Sequence, residues 1–501
     1  ILLKSSGSIT VASDKSIQTN GGDIILWSNS DDETINGGYI YLQDNTTIDT
    51  RTSSDRTSAN GSNDDENGGA IILGGGTGTT VPAGYALNNA NTLRGGISLG
   101  TESGGQRHDS NITLISGGGD ISLKGKQTSL LNGDAAGINA YEGFVLDAGK
   151  TGNITLEGDV SDSNASYSDG MNLGNYATTA GGAASHIKTV DGDIALMGSA
   201  SDASVHSRGL TLAGGGAGLF IQSTGTGSIS LSGTPGGTGV QYNILLIGAN
   251  ILASSGDIDL VGGSTGKIFN TSFASTIGYK LGSDVLSSTS DITVTGDDFD
   301  LSSGFNFNTA GTLKVESFGN SFTNAFNTSQ LTYSSDLTGL TIGKSTNTSN
   351  VTVASDIDIN GPVSIYGGNI YVNENIDTQG GATNGDVLLK VSADIVLAES
   401  KTITTDGGDV ILWSNSDNET TSGSLITRKG SSITTNSGHL WIGGGAESGS
   451  LWNGLTVGDG YAVAGTSLND LDRPNTNTDA SWRGAGIFLD GTTINTSGGH
   501  I

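Results

Sequence analysis

GGDIILWSNSDDET, residues 21–34, returns near the other end of the chain as GGDVILWSNSDNET, residues 407–420. The part that decides the fold is the opening Gly-Asp-Ile-x-Leu. It recurs as GDIIL at 22, GDISL at 119, GDIAL at 192, GDIDL at 256, GDVLL at 385 and GDVIL at 408. Each is a short apolar run with a period of two: Ile24 and Leu26 fall on one face of a strand, Ile25 and Trp27 on the other. Helical periodicity is almost absent, and turn clusters of Gly, Ser, Thr and Asn separate the runs at spacings of roughly 15 to 25 residues.

A lone strand of this kind cannot bury its apolar face. Stacked in parallel with its neighbours it can, because the coils then line an interior with Ile, Leu and Val and pair their backbone groups with the coils on either side. The pattern predicts an all-β fold, a right-handed parallel β-helix (solenoid) with projecting loops, running continuously over 1–501. Gly and Asn are expected at its corners, where positive φ is needed. On this reading the Asn-x-Ser/Thr triplets at Asn45, Asn111, Asn153, Asn270 and Asn350 are a by-product of turn composition rather than glycan acceptors.

A longer period overlies the coil. Residues 1–33 align with 387–419 at an offset of 386, with 20 of the 33 pairs identical. The register then slips, but landmarks continue: GGG at 74–76 against 443–445, GYA at 84–86 against 460–462, and RGGISL at 94 against RGAGIFL at 483. The chain thus reads as one super-repeat, 1–386, and the start of the next, 387–501. It opens on a strand and closes on SGGHI, both in mid-pattern, as expected of a stretch of a longer polypeptide. Segments 49–69, 160–186 and 464–482 are polar and poorly patterned and are expected to project as loops. Eight Phe between 269 and 326 are expected to stack in the interior.

Composition narrows the functional classes. The 501 residues include 82 Gly, 4 Pro and no Cys, so disulfides, thiolate metal sites and cysteine nucleophiles are excluded. The net charge of −29, from 50 acidic and 21 basic residues, argues against a nucleic-acid partner. No apolar run approaches the roughly 18 residues of a membrane span.

Motifs with chemistry are sparse. GLTIGKS at 339–345 is one residue short of a phosphate-binding loop and reads as strand. GISLG at 96 and GGSTG at 262 match the nucleophile-elbow pattern without its strand-then-helix context. The five His, at 108, 186, 206, 439 and 500, show no zinc-type spacing. Asn-Thr-Asp at 477–479 and Gly-Asp-Asp at 296–298 are polygalacturonase elements in reversed order, so an enzyme is not expected. Oxygen-rich acidic loops leave Ca2+ as the one candidate metal, with Asp31, Asp32 and Glu33 and, in the second copy, Asp417 and Glu419 as ligands; Asp64, Asp65 and Glu66 form a similar cluster. Position 32 becomes Asn418, which still offers an oxygen.

The Gly-Asp-Ile-x-Leu strands with Gly/Asn/Thr turns resemble the β-helical shafts of filamentous-haemagglutinin-type adhesins. The longer pieces GGDIILWSNSD, TIGKSTNTSNVTVAS and GGAIILGGG are similar to giant bacterial β-strand-repeat surface proteins. The resemblance implies a structural or adhesive segment of a giant secreted or surface-anchored fibre at the bacterial cell surface. Its expected partners are other cells, surface glycans or copies of itself. The alternative is a carbohydrate-binding or polysaccharide-degrading β-helix with its chemistry in the projecting loops.

Overall fold

The computed structural model describes residues 1–501 apart from 34–36, 58–65, 89–94, 101, 104–105, 108–109, 129–133, 161–166, 175–181, 202–204, 216, 238, 271–273, 279–287, 302–303, 381–384, 419–422 and 465–485. It divides into two compact units, Ile1–Thr309 and Ala310–Ile501. Both are parallel β-helices, built from short strands stacked in parallel rather than from hairpins.

In the first unit the Gly-Asp-Ile-x-Leu runs form one sheet. Ile24–Trp27 stacks on Ile71–Gly74, then Ile121–Gln127, Ile154–Asp159, Ile194–Ser199, Ile229–Thr234 and Ile258–Val261, each in register with the last. The register places Ile24, Ile71, Ile121, Ile154, Ile194, Ile229 and Ile258 in one column and Leu26, Leu73, Leu123, Leu156, Leu196, Leu231 and Leu260 in a second, all fully buried. At roughly 1.5–3 kcal/mol for each fully buried aliphatic side chain, these columns are the main favourable term of the fold. Two further parallel sheets of nine strands each complete the coils.

The second unit repeats the plan. Val363–Gly367, Val387–Val391, Val410–Trp413 and the start of Leu440–Trp452 stack in register. Ile370–Val372, Ile395–Leu397, Leu425–Thr427 and Ile487–Leu489 form a second sheet, and Ile376–Asp377, Thr402–Thr404, Ser432–Thr434 and Thr493–Asn495 a third.

The Asp of the motif has a structural task. Its carboxylate accepts the backbone N–H at the same corner of the next coil: Ala70 donates to Asp23 and Asn153 to Asp120, both at 2.8 Å. The ladder continues as Asp193 to Asn153, Ser228 to Asp193 and Asp257 to the Ser228 hydroxyl. In the second unit Asp409 donates to Asp386 at 2.8 Å, His439 to Asp409 at 2.6 Å and His500 to His439 Nδ1 at 2.9 Å. A corner N–H at the end of a strand lacks a sheet partner, and the side-chain acceptor supplies one.

Where the first and second sheets meet, strands run on past the corner and cross. A Cβ on Gly158 would lie 2.0 Å from the carbonyl oxygen of Gly170, and one on Gly198 2.0 Å from that of Gly209. Only glycine allows this backbone approach. Beyond the crossing the strands continue as arms, with Ala135, Val160 and Ala200 packed between them in a small satellite core.

Segment 160–186, expected as a loop, contains the eight-residue strand Tyr167–Gly174, paired in register with Asp134–Ala140 and His206–Ala213. Its sequence, YSDGMNLG, carries a crossing glycine and three polar residues, Ser168, Asp169 and Asn172, that are buried along with Met171 and Leu173, so no polar–apolar alternation marks it as a strand. Segment 49–69 contains a one-turn helix, Ser53–Thr57, and 464–482 lies almost entirely outside the described residues.

The Phe cluster divides. Phe299, Phe305, Phe307, Phe322 and Phe326 are buried as expected, whereas Phe318 is half exposed. Phe269 stacks on Tyr242 against an outer cluster of Ala213, Leu245 and Ile247. Phe273 lies outside the described residues. Among the described residues no helix is long and apolar enough to cross a membrane.

Candidate functional site

The duplicated loop follows a strand that ends on a buried Trp. Trp27 and Trp413 are 1% and 2% exposed, far more enclosed than a residue covering a coil edge. The indole N–H of Trp27 donates to the Gly76 carbonyl at 2.7 Å, and that of Trp413 to the Gly445 carbonyl at the same distance. A lysine from the preceding coil lies over each ring, Lys4 at 3.6 Å and Lys390 at 3.7 Å from the ring centre.

The backbone around the Trp is the same in both copies. Ser28 N–H donates to Gly74 O and Ser414 N–H to Gly443 O, both at 3.0 Å. The carbonyl of Asn29 accepts from Asp32 and Gly76, each at 3.0 Å; that of Asn415 accepts from Asn418 at 3.0 Å and Gly445 at 3.1 Å. Asn29 and Asn415 have φ of 46° and 48°, Asp32 and Asn418 of 58° and 60°. These are left-handed conformations that Asn and Asp tolerate better than other non-glycine residues. The exchange of Asp32 for Asn418 therefore meets a backbone requirement common to both residues.

Asp31, Asp32, Glu33 and Asp417 are all exposed at the rim of this turn. Glu419 lies outside the described residues, as do Asp64 and Asp65, while Glu66 pairs with Lys150. Among the described residues no group of three His, Asp or Glu side chains converges in a way that could hold a metal ion.

Other sequence motifs resolve into architecture. Gly339–Ile342, the start of the phosphate-loop-like stretch, is a strand, and Gly95–Leu99 is a strand of the second sheet. In the glycan-type triplets, Asn45 Nδ2 donates to Asp14, Asn111 Nδ2 to Asn45, and Asn153 Nδ2 to Asp120, so these amides belong to corner ladders. The structure also brings together two histidines that sequence spacing separates: the rings of His439 and His500 lie 5.0 Å apart on adjacent coils. Burial lowers the pKa of His186, which stacks on Phe220, and Lys188 adds to the shift.

The second unit also has a groove of about 480 Å³ lined by Trp441, Gly443, Asp459, Tyr461 and Ile487, among others. In the first repeat the matching edges, Ile71–Gly74 and Ala86–Asn88, carry the strand Ile121–Gln127 in parallel register.

Comparison with known proteins finds no matching family model, no matching curated protein and no matching solved structure.

Proposed function

We propose that this chain is a structural and adhesive segment of a giant fibre, secreted or anchored at a bacterial cell surface, of the filamentous-haemagglutinin type. The observation that carries this reading is the in-register stacking of the coils. Through much of the first unit each new coil adds one Ile and one Leu to the same two columns and one acceptor to the same corner. Such an arrangement gains stability by length rather than by closing around a site, and it offers long lateral surfaces. Asp31, Asp32, Glu33 and Asp417 of the duplicated loop stand on those surfaces, exposed to solvent.

The test is retention of the purified chain, coated on beads, by cell surfaces, by immobilised glycans and by a layer of the same chain, with polysaccharide length followed in parallel. Reversible retention on one of these surfaces without polymer shortening is expected. Shortening of a polysaccharide would overturn the reading in favour of an enzyme, and no retention on any surface would remove the adhesive role.

A further inference from the structure

The Trp-centred frame is built twice, and what leaves it differs. Gly74–Gly76 and Gly443–Gly445 turn out of the first-sheet stack and pair antiparallel with the returning chain, Gly75 with Gly84 and Gly444 with Gly460. Between these anchor points the first copy has residues 77–83, TGTTVPA, and the second has residues 446–459, AESGSLWNGLTVGD. The second arm is twice as long: a hairpin of Leu440–Trp452 against Leu455–Gly460, closed by Asn453 and Gly454 with φ of 48° and 88°. Both φ values are positive, as in the tight turn that Asn-Gly favours.

We infer that the Trp frame is a branch point, a socket that fixes the base of a side arm while leaving the arm's length and sequence free. Three observations carry this. The indole bond and the Ser and Asn backbone bonds all end at or before the third glycine, so none requires a particular arm; in the second copy Lys390, over the Trp413 ring, also pairs with Glu447 of the arm at 3.2 Å, a contact that the first arm, TGTTVPA, carries no acid to make. The geometry of the frame repeats to within about 0.1 Å in these bonds although the arms share no pattern. Each arm also lays one glycine against the indole, Gly78 in the first copy and Gly458 in the second, from opposite ends of the arm. The socket thus asks only for a small residue there. At the tip of the second arm Leu451 is 66% exposed, so surface chemistry changes at this point without touching the interior columns.

The inference does not depend on the adhesive reading, because it is tested by folding. In one chimera residues 77–83 are replaced by the sequence of 446–459; in a second, the reverse exchange is made; in a third, 446–459 is reduced to Ala-Asn-Gly-Asp. Limited proteolysis of the flanking coils is compared with the parent chain and with Gly445→Ala, whose Cβ would lie 2.2 Å from Gly460 N at a φ of 87°. All three arm variants are expected to be cut in the coils within about twofold of the parent rate, and Gly445→Ala about tenfold faster. If the arm exchanges or the shortened arm raise coil cleavage as much as Gly445→Ala does, the arm is part of the fold and the inference is wrong.

Discussion

Asp386 Oδ1 accepts the backbone N–H of Asp409 at 2.8 Å, joining one coil to the next at the corner where the Gly-Asp motif sits. The bond has an electrostatic cost. Burial raises the Asp386 pKa above its ordinary value, the charge of Asp409 raises it further, and the Asp409 N–H only partly offsets them. Asp259 is raised in the same way, by burial first and then by Asp257.

A carboxylate whose folded pKa is raised holds its proton more tightly in the folded state. Its contribution to stability is therefore present at low pH and lost as pH rises through the folded pKa. Asp386→Asn keeps an acceptor for the Asp409 N–H and removes the charge, as Asn153 does naturally at the same corner of the first unit. The substitution is expected to raise the midpoint of thermal unfolding at pH 7, with the gain shrinking toward pH 4. Asp386→Ala leaves the N–H without its acceptor and is expected to cost about 1–3 kcal/mol. Thermal unfolding of both variants across this pH range checks the sign.

Trp413→Phe retains most of the buried ring but removes the donor to Gly445. A loss of about 1 kcal/mol is expected, against about 3–5 kcal/mol for Trp413→Ala, which also opens a cavity. Hydrogen exchange should show the loss first in Leu440–Trp452 and Leu455–Gly460, whose base the indole holds. Equal effects of the two substitutions would mean that the bond matters and the packing does not.

Gly158→Ala tests the crossing of the first and second sheets. A Cβ there would sit 2.0 Å from Gly170 O, closer than any side chain can approach a backbone oxygen. The two arms must separate, and a cost of about 3 kcal/mol is expected, the upper part of the usual range for overpacking. Urea unfolding followed by far-ultraviolet circular dichroism reads it. Ala at the exposed Gly22, where a Cβ would meet no atom within 4 Å, is the matched control.

The duplicated acidic loop is held by backbone bonds to Asn29 and Asn415. Removal of divalent cations by a chelator is therefore expected to shift the unfolding midpoint by less than about 1 °C, whereas a cation saturating a site at 100 times its Kd would contribute about 2.7 kcal/mol. A fall of several degrees on chelation would restore Asp31, Asp32, Glu33 and Asp417 as ligands. Light scattering on the same samples reads separately whether cations bridge one chain to another.

The strand core was legible because its signal is local: Ile24 and Leu26 are two apart, and the same spacing recurs at each of the six Gly-Asp-Ile/Val-x-Leu runs. The doubling of the Trp turn was legible as well, since 1–33 and 387–419 align without gaps. The Trp socket was hidden because its partners are remote in sequence, Trp27 to Gly76 and Trp413 to Gly445, and glycine carries no side-chain signal of a contact. The crossing strands were hidden for the same reason: Gly158 and Gly170 read as turn residues, and Tyr167–Gly174 between polar stretches reads as loop. Phe269 and Phe305 look alike in sequence, and only the register decides that Phe305 points inward and Phe269 outward.

The corner ladder has a direction. At every rung described, the side-chain acceptor belongs to the earlier coil and the backbone donor to the later one, from Asp23 and Ala70 through to His439 and His500. A finished coil with Asp, Asn or Ser at this corner thus presents an acceptor to the chain that follows it, whereas the N–H of a coil lacking its predecessor has no such acceptor to meet; Ala70, without a side-chain acceptor, interrupts the series. A chain that emerges N-terminus first would meet its template already in place, so assembly would run one way, like a zipper drawn from a single end.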